Sequence, residues 1–267
     1  MSKKRIIFQV NIPYELESKL YKFCNDSVAR YCEKNGFDHF ILREAKMKIS
    51  PDMERTGRNK DGLLKKAKNT LPIFEKEYGF NYLKEYDQVA IIDSDIYIRE
   101  NAPNVFEELE DDYCFGGVLE RDLPMTGAHH KKAKGYSRDM FDRLNDVKWE
   151  YKKDVADYMN MGMIVMNNSI VKYFSGQTPT EFIRRPEFKD LVDGMGLWRY
   201  STDQVLLNYW LKKDGVPTKH MDWRWNTLYR GAEDKYLKEG YFIHFFLKNQ
   251  INKKGEDINA IKKILNL

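Results

Sequence analysis

Ala90-Ile91-Ile92-Asp93-Ser94-Asp95-Ile96-Tyr97-Ile98 is an apolar run interrupted by two carboxylates one residue apart. Side chains in extended backbone alternate faces, so Asp93 and Asp95 can point the same way while Ile91 and Ile92 anchor a strand in a sheet. Two hard oxygen ligands then stand together at the carboxyl edge of that strand, where open α/β sheets hold their ligands. Such a pair suits a divalent cation that must also take phosphate oxygens.

Upstream, Ile6 to Val10 reads as a short strand, Glu15 to Asn35 carries helical periodicity up to Gly36, and Phe37 to Leu42 reads as a second strand. The opening is therefore a β-α-β unit. Glu44 to Asp61 is polar and basic and is expected to form a loop over the sheet edge. Leu63 to Tyr78 is helical in pattern, with Pro72 marking a start or kink. Downstream of the acidic pair, Tyr113 to Leu119 and Met163 to Met166 are further apolar runs. Between them lies Glu120 to Tyr158, a charged stretch expected to be a lid or a binding loop.

The whole chain, at 267 residues with 42% hydrophobic and 14% aromatic content, can bury one sizeable α/β core. Its formal net charge is +4 with 32% charged residues interspersed by sign, so the basic stripe of a nucleic-acid partner is missing. Cys24, Cys32 and Cys114 have no metal-ligand spacing, and their odd number argues against a full disulfide framework. With no stretch of membrane-spanning length, the expectation is a soluble, cytoplasmic protein.

Three later segments carry chemistry. In Asn160-Met161-Gly162-Met163, an amide and a glycine precede an apolar strand; they serve either as a plain strand entry or as a place where a ligand approaches the backbone. Ser201-Thr202-Asp203-Gln204 opens an amphipathic helix, and Ser201 with Gln204 fits a capping box. Tyr241-Phe242-Ile243-His244-Phe245-Phe246-Leu247-Lys248 is an aromatic strand with one imidazole and, four residues on, one ammonium. A lone histidine there is either a core residue or a ligand.

Taken in order, the DxD after a strand, Asn-x-Gly before a strand, Asp-Gln at a helix start and His near the C-terminus resemble the GT-A glycosyltransferases. Within them the motif order is most similar to family 8, the glycogenin and bacterial galactosyltransferase group. The resemblance spans Ile6 to Lys248 as scattered short motifs. It implies an α/β fold of the GT-A kind, a Rossmann-like mixed central sheet flanked by helices. One domain would cover residues 1–267, with 1–119 binding the nucleotide-sugar, 120–248 serving acceptor and catalysis, and 249–267 a tail.

The same resemblance implies an enzyme that moves a sugar from a nucleotide diphosphate sugar, UDP-sugar foremost, to a glycan or other hydroxyl acceptor. Asp93, Asp95 and His244 would bind Mn²⁺, with Mg²⁺ as the alternative; an imidazole among oxygen ligands favours Mn²⁺. Ser94, Asn160 and Gly162 would lie on the substrate side, and Asp203 and Gln204 beside the anomeric carbon. Lys248 would hold the diphosphate, and Lys68, in Lys65-Lys66-Ala67-Lys68, would reach the donor sugar. The family's His-x-x-Gly-x-x-Lys-Pro-Trp is altered here: Leu247 replaces the glycine and the lysine comes early. An amide at Gln204 points to retention, while Asp203 keeps an inverting or double-displacement route open.

Two other readings stand beside this one. Ile91-Ile92-Asp93-Ser94-Asp95 also resembles the first motif of haloacid-dehalogenase-type phosphatases, which lies near the N-terminus in that superfamily, and a non-catalytic sugar-binding GT-A relative would share the fold. His129 and His130 read as a solvated pair in a Lys-rich loop. Most of the tryptophans read as core, with Trp223-Arg224-Trp225-Asn226 the exception because it just precedes the His244 strand. Ile258, Ile261, Ile264 and Leu265 beside Lys253, Lys254, Lys262 and Lys263 fit a short amphipathic helix, docked on the domain or touching an anionic membrane.

Overall fold

A computed structural model describes residues 3–13, 18–60, 64–246 and 250–267. β1 (Arg5–Val10), α1 (Lys19–Asn35) and β2 (Asp38–Leu42) make the expected β-α-β unit, with β1 and β2 parallel. α1 stops at Gly36, which is left-handed at φ 71° and bonds back to the Cys32 and Glu33 carbonyls. A 3₁₀ run from Pro72 to Lys84 leads to β3 (Gln88–Ile92), and β4 (Ile96–Ile98) follows one turn later. Pro72 is thus a helix start. Its missing N–H costs nothing in the first turn.

β5 (Phe115–Leu119) precedes α2 (Gly127–Met140), and the short hairpin of β6 (Tyr151–Lys152) and β7 (Val155–Ala156) runs into β8 (Met159–Asn167). α3 (Pro179–Ile183), α4 (Lys189–Asp193) and α5 (Asp203–Lys213) come next. β9 (Thr218–Met221), β10 (Thr227–Leu228), β11 (Phe242–His244) and α6 (Ile258–Leu265) complete the order.

The large sheet has the strand order β2-β1-β3-β8-β5-β9, with β8 antiparallel to both its neighbours and the other pairs parallel. It is the expected mixed sheet. All of β3 is buried, and alternation divides it between two cores: Val89 and Ile91 pack with Phe8 on one face, Ala90 and Ile92 with Ile7 on the other. A small second sheet, β10-β11-β4, stands beyond the end of β3.

That second sheet corrects the reading of the acidic pair. Asp93 to Asp95 do not continue a strand; they form the turn by which the chain leaves the large sheet and enters the small one, with Ile96 N–H bonding to the Asp93 carbonyl at 3.1 Å. Turn geometry, not pleat alternation, brings the carboxylates together. Asn160 and Gly162 lie inside β8 rather than before it. Glu120 to Tyr158 is largely structured, holding α2 and the β6–β7 hairpin, and Glu120 and His129 are buried within it.

The C-terminal helix is docked. Ile261 and Leu265 of α6 pack with Leu20 and Cys24 of α1, and the Arg99 guanidinium donates to the Leu265 carbonyl at 3.0 Å. Lys253, Lys254, Lys262 and Lys263 are exposed, while Ile261 and Leu265 of the apolar face are buried and Ile258 and Ile264 are half-buried. Among the described residues no helix is long and apolar enough to cross a membrane. Because Ile261 is fully buried, Ile261→Ala should cost about 2–5 kcal/mol in urea unfolding. Lys262→Ala should change stability by less than about 0.5 kcal/mol; equal effects would mean that α6 does not carry packing energy.

Candidate active site

The site forms where the two sheets meet. β4 and β11 pair antiparallel with His244 opposite Ile96, so the imidazole falls beside the residue that ends the acidic turn. Asp93 N–H bonds to the Gly162 carbonyl at 2.7 Å and Phe245 N–H to the Asp95 carbonyl at 2.9 Å, which fastens the turn to β8 on one side and to β11 on the other. His244 Nε2 lies 3.3 Å from Asp95 Oδ1 and 3.7 Å from Asp93 Oδ2. One ligand atom from each of the three residues lies within 4.8 Å of the others.

This donor set fits a divalent ion on chemical grounds. Burial raises the Asp93 carboxyl pKa, and the Asp95 and Asp203 charges add to it against the pull of Lys76. For Asp95 burial acts the same way, but the His244 imidazole outweighs it and holds the carboxyl below its ordinary range. Burial alone would lower the His244 pKa, yet the charge of Asp95, with a hydrogen bond to it, leaves it raised. Three inward carboxylates, Asp93, Asp95 and Asp203, outnumber the one buried ammonium. A cation at the Asp93–Asp95–His244 corner relieves that excess.

The ammonium is Lys76. Its side chain is 15% exposed, and Nζ sits 2.9 Å from Asp93 Oδ1, 2.7 Å from Asp203 Oδ2 and 2.9 Å from the Met161 carbonyl. Burial favours the neutral amine, but Asp203 and Asp93 more than offset it and raise its pKa. Lys68, by contrast, is exposed in a left-handed turn at φ 52° and does not line the cleft. The lysine cluster at 65–68 drew the sequence reading away from Lys76, which is placed by the helix that Pro72 starts. Lys248 lies outside the described residues.

α5 contributes Asp203 and Gln204 at its first turn. The Ser201–Gln204 capping box does not form: Thr202 caps the helix by accepting the Gln204 N–H at 3.2 Å, and Ser201 instead donates to the Leu191 carbonyl at 2.5 Å. Gln204 is freed for the cleft, where its Oε1 accepts the Met161 N–H at 3.3 Å. Ser94 is turned elsewhere, its hydroxyl donating to the Val10 carbonyl at 2.9 Å, which ties the acidic turn to β1.

Gly162 is small for the sake of His244. A Cβ there would stand 2.3 Å from His244 Cε1, so the close approach expected from a ligand is made by the imidazole itself. Asn160 is buried and points its amide into a polar chain: Nδ2 donates to Glu120 Oε2 at 2.9 Å, while Oδ1 accepts from Gly162 N–H and from Asn226 Nδ2. Asn226 Oδ1 in turn faces His244 Nδ1 at 3.0 Å. His129 is no solvated residue; it is buried with Nε2 2.6 Å from Glu120 Oε1.

Lys76, the acidic turn, Gln204 and His244 share a cleft of about 480 Å³, whose far wall is α2 with His129, Lys132 and Tyr136. Burial pushes the Tyr136 phenol pKa up, so it stays a neutral donor. The sequence reading missed Lys76, Glu120 and Asn226. Glu120 carried a usable signal, since it follows β5 directly, a carboxylate at a strand end like Asp93. Asn226 sat within the flagged Trp223-Arg224-Trp225-Asn226 stretch, whose tryptophans drew attention first.

No protein-family model matches this chain, and no curated protein sequence does. Among solved structures it is similar to mouse xyloside xylosyltransferase 1 in its apo form, with a TM-score of 0.50 at 13% identity over 93% of this chain and 99% of that one. Weaker likenesses are a glycosyltransferase involved in glycosylation of the major capsid of PBCV-1, at a TM-score of 0.49, 10% identity, 96% of this chain and 98% of that one. Another is the galactosyltransferase LgtC in complex with donor and acceptor sugar analogues, at 0.48 and 16% identity over 98% and 95% of the two chains. The first of these, together with the mixed six-stranded sheet and its flanking helices, shows the GT-A fold.

Removing Lys76 leaves Asp203 and Asp93 without their buried counter-charge. Lys76→Met should therefore lower stability by about 3–5 kcal/mol in urea unfolding of the chelator-treated protein. Lys68→Met should leave it within about 0.5 kcal/mol of the parent. Equal small losses would show that the Lys76 ion pairs contribute no more than a surface contact.

Proposed function

We propose that this chain is a metal-dependent glycosyltransferase that moves a sugar from a nucleoside diphosphate donor, UDP-sugar in the first instance, to a hydroxyl of a glycan acceptor, with retention. The observation that carries this reading is the convergence of Asp93, Asp95 and His244 within 4.8 Å at the edge of a cleft that also holds Lys76, Asp203 and Gln204. Mixed carboxylate and imidazole ligation favours Mn²⁺ over Mg²⁺. Held there, the ion would bind diphosphate oxygens and offset the charge that the leaving group gains.

The chain's own groups do the rest. Lys76 makes three polar contacts at once and so locks Asp93 and Asp203 at a fixed distance across the cleft. Asp203 has its Oδ2 occupied by the Lys76 ammonium at 2.7 Å, which makes it a poor base for the acceptor hydroxyl. That favours retention, with the leaving phosphate taking the acceptor proton. Gln204, its oxygen held by the Met161 N–H, sets its amide beside the reacting carbon. By the family resemblance alone, Lys248 would serve as a second cation for the leaving group. On the opposite wall, the ring of Tyr136 and the ammonium of Lys132 offer the acceptor sugar a face to stack on and a donor to bind. The phosphatase resemblance loses its footing, because Asp93 follows the third strand in chain order and faces His244 rather than a second acidic pair.

A donor-hydrolysis panel in Mn²⁺ tests this. One nucleotide-sugar should be hydrolysed slowly, and excess EDTA, Asp93→Ala or Asp95→Ala should abolish turnover with an unchanged far-UV spectrum. Full turnover in EDTA would remove the metal from the proposal. No thermal shift with any nucleoside diphosphate plus Mn²⁺ would leave a non-catalytic relative as the better account. Gln204→Ala should lower kcat about 100-fold with little change in KM, since its amide acts on charge present only in the transition state.

A further inference from the structure

Asn226 is completely buried, carries no charge and touches no cleft surface, yet its amide is the sole side-chain link between His244 and the polar chain behind it among the described residues. The direction of every hydrogen bond in that chain is forced. Glu120 is a carboxylate that can only accept, so Asn160 must present Nδ2 to it. Asn160 therefore turns Oδ1 the other way, and the Gly162 N–H, a donor with no choice, meets that oxygen at 3.0 Å. Asn226 must then give Nδ2 to Asn160, at 2.9 Å, and its Oδ1 faces His244. An amide oxygen can only accept. Nδ1 of the His244 ring consequently carries a proton, and Nε2, which faces Asp95 and Asp93, is the nitrogen left for a cation to take.

We propose that Asn226 is a positioning residue for the metal site: backed by Asn160 and Glu120, it fixes His244 in the one tautomer and ring orientation that can ligate. This rests on the metal reading given above. Outer partners of a ligating histidine set its tautomer and its basicity, and their loss weakens metal binding about 10–100-fold. Two substitutions separate this role from a merely structural one. Asn226→Leu keeps the branched shape and removes the acceptor, so the ring can rotate or protonate at Nε2. Asn226→Asp keeps an acceptor for the Nδ1 proton but sets a carboxylate oxygen against Asn160 Oδ1, and so it should be the less stable of the two.

Mn²⁺ titration of the whole protein, followed by the electron paramagnetic resonance of the free ion and without any donor, reads the effect. Asn226→Leu should bind Mn²⁺ about 10–100-fold more weakly than the parent. Asn226→Asp should bind like the parent despite a lower melting temperature. Nitrogen-15 shifts of the His244 ring in metal-free protein, at a pH where the ring is neutral, should show Nδ1–H in the parent and in Asn226→Asp, and a mixture in Asn226→Leu. Metal affinity that follows melting temperature across the three proteins, or a parent ring protonated on Nε2, would overturn the proposal. A parent that holds the Nδ1–H tautomer but binds no Mn²⁺ would overturn the metal reading and, with it, this role for Asn226.

Discussion

Pairing of β4 with β11 is the constraint on which the site depends. Three residues on each strand are enough to set His244 opposite Ile96, immediately after the acidic turn. Strand side chains alternate with a period of two, so a slip of one residue would carry the imidazole to the opposite face and leave the two aspartates without it. The register is held at both ends by backbone bonds, Phe245 N–H to the Asp95 carbonyl at one and Arg99 N–H to the Tyr241 carbonyl at the other. It is also held from the side, because Gly162 leaves room for the ring where any larger residue would collide with it. The short second sheet is the means by which a C-terminal histidine reaches a motif about 150 residues earlier in the chain.

Charge is the second organising term. Asp93, Asp95 and Asp203 converge from two separate segments, and Glu77, whose carboxyl is pushed well up by burial, lies close behind them. Such a group of acids would repel itself apart without a counter-charge. Lys76 supplies one at the end where α5 begins, which leaves the imbalance at the end where His244 stands. The cleft is therefore polar in a literal sense, with a held ammonium at one side and an excess of carboxylate at the other.

Much of this was legible from the chain. The β-α-β opening and the strand that runs into Asp93 followed from apolar runs and their punctuation, the mixed sheet followed from the family resemblance, and His244 stood out as a titratable group on an aromatic strand. What could not be read was which of several lysines faces inward. Lys68 has two charged neighbours in Lys65 and Lys66 and a turn-forming sequence, while Lys76 depends on the rotation of a 3₁₀ run whose period of three differs from the 3.6 assumed for a helix. The strand-end rule that found Asp93 also applied to Glu120, but the charge density around Glu120 suggested a solvated loop. Burial reversed that reading, since His129 and Asn160 satisfy both of its oxygens.

Glu120 also decides how stiff the site is. One of its oxygens takes His129, on the first turn of α2 at the cleft wall; the other takes Asn160, two bonds away from the metal-side histidine. Breaking a link of this buried network is costly, because each lost bond strands a polar group in low dielectric. The wall that would meet an acceptor and the ring that would meet a metal are therefore anchored on the same carboxylate. A shift of α2 large enough to break the His129 contact would leave that carboxylate half-satisfied. The polar chain thus resists independent movement of the two sides of the cleft, which favours a preformed site over one assembled when substrate arrives.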